Sequence, residues 1–312
     1  METSVTSCVT FAAPSTRTLV FENPLGVYPV NQYQSLVLAN AAYVETLEVS
    51  AFSGQPLSAL TAIEICCGGG PAAITLKDAG VGFVGASDIQ MCSIEQLRDN
   101  AIRNHLDLDS VRVGAGLTPW LNHAPWVDII ACNPPCLPGN LVDDCLAGSL
   151  KIAMQGNHGG ISLLVEMMES LEHILTPHGR FVFLMTSIMD FKSMARILNT
   201  RYAGRWRVSP GMPIAAPYCR SSDPMVATLL AMRNTGEVFV WLGNDGWLWR
   251  LTWVVAILGT ASLRNDALAD SAGTLDFYPF GHIPVTEDYL RTLEIFGCAP
   301  PSNPTPQRNS TR

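Results

Sequence analysis

The sequence predicts an α/β domain built on a mostly parallel sheet. Three observations carry that expectation. Short apolar runs alternate with helical patterns from residue 61 to residue 186, and such alternation builds parallel strands covered by helices on both faces. A glycine run, Gly68-Gly69-Gly70, joins the first strand of the series to its first helix. The fourth strand is stopped by Pro134 and Pro135, which remove two ladder donors. Apolar residues make up 48% of the 312 and charged residues 15%, so a large core can form and a disordered or coiled-coil chain is excluded.

The elements follow in order. TAIEIC (61–66) reads as a buried strand, and Pro71 opens a helix that runs to Gly80, proline at the start and glycine at the end being the usual punctuation. GFVGASD (82–88) is a second strand, residues 90–104 a polar helix, and VRVGA (111–115) a third strand. WVDIIACN (126–133) is the fourth. Ile161, Leu164, Val165, Met168, Leu171 and Leu175 form an apolar helical stripe, which is expected to end at TPHG with Gly179 as its stop. RFVFLMT (180–186) is a fifth strand. EVFVWL (237–242) and WLWRLTWVVAIL (247–258) read as a hairpin around a Gly/Asn/Asp turn, placed to close one edge of the sheet. Three regions are expected: an N-terminal tail and cap over the site (1–57), the main domain (58–300) and a Pro-rich disordered tail (301–312).

Composition narrows the function classes. The net charge is −8, which argues against a nucleic-acid binder held by phosphate contacts. Nine cysteines, an odd number without paired CxxC spacing, argue against a disulfide framework and a structural zinc site. The six histidines show no metal spacing, so no metal is expected. The longest apolar stretch, residues 251–263, is about 13 residues and too short to span a bilayer. Residues 1–18 lack a basic start and a continuous apolar core, so no leader is expected. The expectation is a reduced, cytoplasmic protein with a small-molecule partner, no membrane, and an oligomeric state that the sequence leaves open.

The run EICCGGGPAA lies at the carboxyl end of the first strand, where open α/β sheets bind ligands. Asp88, 24 residues after Glu64, ends the second strand; an acid there can accept both hydroxyls of a ribose. The alternative is an ordinary βα turn with a capping Asp. The spacing is not GxGxxG, and Pro71 occupies the place where dinucleotide phosphates meet the helix start. A nucleoside without phosphates fits more easily. At the end of the fourth strand, Asn133-Pro134-Pro135 leaves carbonyls without ladder partners, and Asn133 adds an acceptor and two donors. These groups can grip an amino group and aim its lone pair, which is what N-alkylation requires. A plain Pro-rich loop is the other reading.

The order EICCGGG, then Asp88, then NPPC resembles the class I S-adenosylmethionine-dependent methyltransferases. More narrowly it resembles their Asn-Pro-Pro-aromatic branch, which includes release-factor glutamine methyltransferases and base N-methyltransferases. The likeness covers roughly residues 20–190, including GVYPVNQYQS (26–35) and QGNHGGISLL (155–164). It implies a Rossmann-like class I methyltransferase fold: a mostly parallel seven-stranded sheet, five central strands being parallel, with a C-terminal antiparallel hairpin and an N-terminal cap. It implies S-adenosyl-L-methionine as cofactor and S-adenosyl-L-homocysteine as product. Glu64, Cys66, Gly68, Gly70, Asp88, Ile89, Gly116, Leu117 and Asn133 would line the cofactor. Asn133, Pro134 and Cys136 would meet the acceptor, with Tyr28, Gln32, Tyr33 and His158 as cap or substrate residues.

Three positions depart from the branch. Cys66 stands where the first glycine usually is, Gly116 where an Asp contacts adenine, and Cys136 where an aromatic ring stacks on a flat acceptor. A thiol cannot stack, so a nucleobase acceptor is disfavoured. Elsewhere, Cys136 as a nucleophile is set against a pocket-lining thiol. The basic run Lys192, Arg196, Arg201, Arg205 and Arg207 is set against a solvated helix face. The tryptophans from 241 to 253 are read as hairpin packing or as a substrate platform. The function expected is N-methylation of a small-molecule amine or amide, in specialised metabolism. Three alternatives are a glutamine methyltransferase, an enzyme that cyclises S-adenosylmethionine and releases methylthioadenosine, and a non-catalytic binder.

Overall fold

The computed structural model describes residues 7–12, 18–23, 30, 34–121, 127–142, 148–209, 211–220, 224–243 and 246–261. The expectations for Tyr28, Gln32, Tyr33 and the tail 301–312 lie outside them. An antiparallel ribbon comes first, β1 (Ser7–Ala12) and β2 (Thr18–Asn23). Then α1 (Gln34–Ser53) leads into β3 (Thr61–Ile65), α2 (Pro71–Asp78), β4 (Phe83–Asp88), α3 (Met91–Arg103) and β5 (Ser110–Val113). A turn of helix, α4 (Thr118–Leu121), precedes β6 (Val127–Cys132). Short pieces follow: β7 (Leu137–Pro138), α5 (Gly139–Val142), α6 (Gly148–Met154) and β8 (Gln155–Asn157). The chain continues through α7 (Ser162–Ser170), β9 (Leu175–Thr186), α8 (Phe191–Arg201), β10 (Trp206–Val208), β11 (Met212–Arg220), α9 (Pro224–Asn234), β12 (Val240–Leu242) and β13 (Trp247–Leu258).

Among the described residues, nine strands form one sheet, in the order β10-β13-β9-β6-β3-β4-β5, with β11 and β12 also paired to β13. The five strands β9, β6, β3, β4 and β5 are parallel, and β13 runs antiparallel to β9. This is the mixed, Rossmann-like α/β architecture. Side chains alternate between two cores, as the pleat requires. Ala62, Val84, Ile129, Ala131, Val182 and Leu184 face one cluster shared with α1, α2 and α3. Ile63, Ile65, Ile130, Phe181, Phe183 and Trp253 face the other, under α7 and α8. Both faces are therefore dry, which explains the near-continuous apolar strands. No helix of the described residues is long and apolar enough to cross a membrane.

Polar side chains fasten the periphery. The β2 backbone is held to α3 by Val20 N–H donating to Asn104 Oδ1 at 2.9 Å and Glu22 N–H to Asn100 Oδ1 at 2.9 Å. The α1 helix carries a buried carboxylate, Glu45. The Arg207 Nε on β10 donates to its Oε1 at 3.0 Å, and Arg180 Nε on β9 lies 3.5 Å from its Oε2. Burial raises the Glu45 carboxyl, and the Arg207 guanidinium offsets part of that rise.

Two expectations are corrected. The apolar stripe does not run as helix to TPHG. The helix ends at Ser170, a 3₁₀ turn follows at Leu171–His173, and β9 already begins at Leu175. Pairing with β6 is the reason: Val127 N–H donates to Ile174 O at 2.9 Å and Thr176 Oγ1 to Asp128 Oδ1 at 2.8 Å. Gly179 therefore sits inside a strand, where an added Cβ would come within 3.0 Å of Asp128 O. The hairpin does exist, with Val240 opposite Arg250. It does not close the sheet, because β10 and β11 pair with the other side of β13.

Removing Arg207 would take from the buried Glu45 its hydrogen-bonded cation and leave it Arg180 Nε at 3.5 Å. Arg207→Ala is expected to lower the unfolding free energy by about 3 kcal/mol, read from urea titrations. A loss below about 0.5 kcal/mol would show that the pair contributes no more than a surface one.

Candidate functional site

The sheet reverses its strand order between β3 and β6, and a crevice opens there at the carboxyl ends. The loop after β3 is tight. Cys66, Gly68 and Gly70 all have positive φ, at 55°, 49° and 78°. Cys66 adopts this left-handed conformation despite its Cβ, at a cost of about 1–2 kcal/mol. Gly70 cannot be larger, because a Cβ would lie 1.9 Å from Leu97 Cδ1. Asn100 Nδ2 of α3 donates to Gly69 O at 3.0 Å and fixes the loop from behind.

Two buried acids brace this loop. Glu64 Oε2 accepts from Ala73 N–H at 2.7 Å, so the carboxyl occupies the first free amides of α2. Burial pushes it up to about 8 against the pull of the Ala73 and Ala72 amides. Asp88 Oδ2 accepts from Gly68 N–H at 3.0 Å and Oδ1 from Gln90 N–H at 2.9 Å. Burial raises its pKa as well, while the Gln90 and Gly68 amides hold it down.

The second wall is the Asn-Pro-Pro turn. Asn133 follows β6 directly, and Ile65 stands opposite Cys132. The loop and the turn therefore leave the sheet at one level. The segment 155–160 folds back over the turn, with β8 pairing to β7. Its glycines are obligatory for that approach: a Cβ on Gly156 would lie 2.7 Å from Pro135 O. From β13, Arg250 Nη1 donates to Cys136 Sγ at 3.3 Å.

A cavity of about 360 Å³ lies between these walls. Of the residues singled out from sequence, Glu64, Cys66, Gly68, Asp88, Ile89, Gly116, Asn133, Pro134 and Cys136 line it. Three do not. Gly70 packs on Leu97 behind the loop, Leu117 is buried among core residues such as Trp120, and His158 is exposed on a 3₁₀ turn. Sequence reasoning missed Gln34 and Ser35 at the start of α1, Ser93, Glu166 and Arg250, which also line the cavity. A signal for Arg250 was present: it is the one charge within twelve otherwise apolar or hydroxyl residues of β13. The basic run does not form one patch. Arg205 pairs with Glu172 at 3.1 Å, and Arg207 turns inward to Glu45 and Glu48. Trp241 stacks on Trp249 at 6.4 Å, and Trp253 is buried against Phe191.

No protein-family model matches the sequence, and no curated protein matches it. Among solved structures the chain is similar to a SAM-dependent methyltransferase from Agrobacterium tumefaciens, at 13% identity over 82% of this chain and 72% of that one, with a TM-score of 0.49. It is similar to the 16S rRNA N2 G1207 methyltransferase of T. thermophilus, solved with AdoMet and guanosine, at 14% identity, 82% of this chain and 51% of that one, TM-score 0.48. This chain thus spans about half the length of that protein. A precorrin 8W decarboxylase from Methanobacterium thermoautotrophicum matches at 15% identity, 79% of this chain and 98% of that one, TM-score 0.44. At these identities the likeness is one of fold.

A raised carboxyl pKa links the site to stability. Glu64 ionises near 4.5 when unfolded and at about 8 when folded. Between those values the folded chain holds a proton that the unfolded chain has lost, so its contribution is full below the lower value and fades as pH rises through the upper one. Unfolding free energy is expected to fall by a few kcal/mol between pH 5.5 and pH 8. In Glu64→Gln that slope should largely vanish. Equal slopes in the two proteins would show that Glu64 is not the titrating group.

Proposed function

We propose that the chain is an S-adenosylmethionine-dependent N-methyltransferase whose acceptor is a small-molecule amine or amide. One observation carries the reading: a single cavity joins the buried acids Glu64 and Asp88 and the 66–70 loop to the Asn133-Pro134-Pro135 turn across the strand switch.

The donor set suits a cationic nucleoside rather than a dinucleotide. A phosphate at the start of α2 would need the amides that Glu64 already engages. It would also face Pro71, which has no N–H, and two carboxyl groups. A ligand with positive charge instead favours the ionised forms of Glu64 and Asp88. Asp88 would accept the ribose hydroxyls, Gly68 would allow close backbone approach, and Ile89 and Gly116 would flank the base. When bound, the cofactor supplies an electrophilic methyl group on a sulfonium.

The chain's part in the reaction is orientation. The Asn133 side chain and the Pro134 carbonyl accept the N–H bonds of the acceptor and direct its lone pair at the methyl group. Alignment of this kind supplies most of the rate gain in such displacements. An uncharged amine needs no strong base before attack, and its proton leaves to water from the methylated ammonium afterwards. The thiol of Cys136 offers no ring on which a flat base could stack, which supports a non-planar, small acceptor.

Asp88→Ala is expected to weaken S-adenosylhomocysteine binding by about 10- to 100-fold by calorimetry. Unchanged affinity would remove the ribose assignment. For Asn133→Ala, kcat/KM for the acceptor should drop by about 100-fold or more, and full retention would show that the turn is not the clamp. Incubation with methyl-labelled S-adenosylmethionine and a small-molecule extract should yield S-adenosylhomocysteine and label in the small-molecule fraction. Label on protein would replace the small-molecule reading, and methylthioadenosine formed without an acceptor would replace methyl transfer.

A further inference from the structure

Glu166 has no part in that mechanism, yet it lines the cavity. The two other acids among the described lining residues are engaged by backbone: Glu64 by Ala73 N–H, and Asp88 by Gly68 and Gln90 N–H. Among the described residues no hydrogen bond or ion pair engages the Glu166 carboxylate. The side chain is exposed, so it stands at the rim of the cavity. A glutamate on a helix is ordinarily part of a solvated face. What sets this one apart is its place relative to the base of the bound nucleoside.

The route from the ribose to Glu166 can be followed along the chain. Strands β4 and β5 pair with Asp88 opposite Val113, and Gly114 N–H donates to Asp88 O at 2.9 Å. The segment Gly114–Gly116 therefore leaves the sheet beside the acid that would hold the ribose. Gly116 then lies against α7: a Cβ added to it would come 3.2 Å from Leu163 Cδ1 and 3.5 Å from Met167 Cγ. Its φ is 50°, so the position has little room, and the wrong backbone, for an ordinary side chain. A base flanked by Ile89 and Gly116 thus meets no side-chain acceptor from the loop after β5, which runs Gly114-Ala115-Gly116-Leu117. Leu163 and Glu166 are three residues apart on α7, hence on one face, and both line the cavity. The carboxylate stands one helical turn beyond the contact with Gly116.

We propose that Glu166 accepts a hydrogen bond from the exocyclic amine of the cofactor's base and so selects adenine over 6-oxopurines. The assignment rests on the S-adenosylmethionine reading of the same cavity. A carboxylate accepts and never donates. It matches the N–H groups of an amine and opposes the carbonyl oxygen that a 6-oxopurine carries at the same position. Ser162 also lines the cavity, but a hydroxyl donates as well as accepts and would not discriminate in this way. The helix α7 follows directly on the segment 155–160 that folds over the Asn-Pro-Pro turn. Base recognition and the acceptor wall would then share one stretch of chain.

The test compares two probes by calorimetry on the full-length protein: S-adenosylhomocysteine and S-inosylhomocysteine, which carries an oxygen in place of the amine. The wild-type protein is expected to bind the adenosyl probe about tenfold or more tightly than the inosyl probe. In Glu166→Gln that ratio should fall to within about threefold of unity, because a carboxamide can donate to the oxygen. Glu169→Gln, which alters an exposed acid of the same helix outside the cavity lining, should keep the wild-type ratio. The wild-type ratio tests the idea without any variant, and a ratio of two affinities does not move with a general loss of folded protein. Equal binding of the two probes by the wild-type protein would overturn the proposal. So would a ratio that survives in Glu166→Gln, which would leave base selection to backbone groups. A matching drop in Glu169→Gln would reduce the effect to one of overall charge and overturn it too. Failure of the wild-type protein to bind S-adenosylhomocysteine at all would overturn the cofactor reading itself, and the role of Glu166 with it.

Discussion

The site depends on the parallel pairing of β3 with β6 in the register that sets Ile65 opposite Cys132. That pairing makes two unrelated segments leave the sheet together, the glycine loop at residue 66 and the Asn-Pro-Pro turn at residue 133. A slip of one residue would turn Glu64 to the opposite face of the sheet. The register is held because both faces of these strands are buried, Ala62 and Ile129 towards one cluster and Ile63 and Ile130 towards the other. A one-residue slip of β3 would exchange Ala62 and Ile63 between the two cores.

The buried charges fall into two kinds. Glu45, Arg180 and Arg207 compensate one another where α1 crosses β9 and β10, away from the cavity, and their work is structural. Glu64 and Asp88 are compensated mainly by backbone amides of the loop and of the helix starts. Backbone donors satisfy a carboxylate without cancelling its charge. The first kind is paired side chain to side chain, while in the second Glu64 keeps its proton up to about pH 8, so the charge it turns to the cavity depends on pH.

Local signals account for much of what was legible. Pro71 and the glycines before it fixed the loop's place, since no other residues satisfy a positive φ next to a helix start so readily. Pro134 and Pro135 ended β6 for an equally local reason. Long-range pairing was the source of the differences. The apolar spacing of Ile161 to Leu175 is genuinely helical, yet the β6 ladder captures the chain from Leu175 onwards. The tryptophan-rich strand looked like an edge element, but β10 and β11 cover its outer side. Leu117 was drawn into the core by Trp120 and its neighbours, and His158 was left exposed on its turn.

The sequence by itself determined the fold class, the order of the parallel strands' elements and the two loops that frame the cavity. Each of those follows from periodicity over a few residues or from the covalent restrictions of glycine and proline. Only the tertiary structure decided that Arg250 faces Cys136. The two are 114 positions apart, and nothing in either segment encodes the other. Their meeting is produced by the antiparallel insertion of β13 beside β9, which carries a buried cation to the mouth of a strand it never touches in sequence.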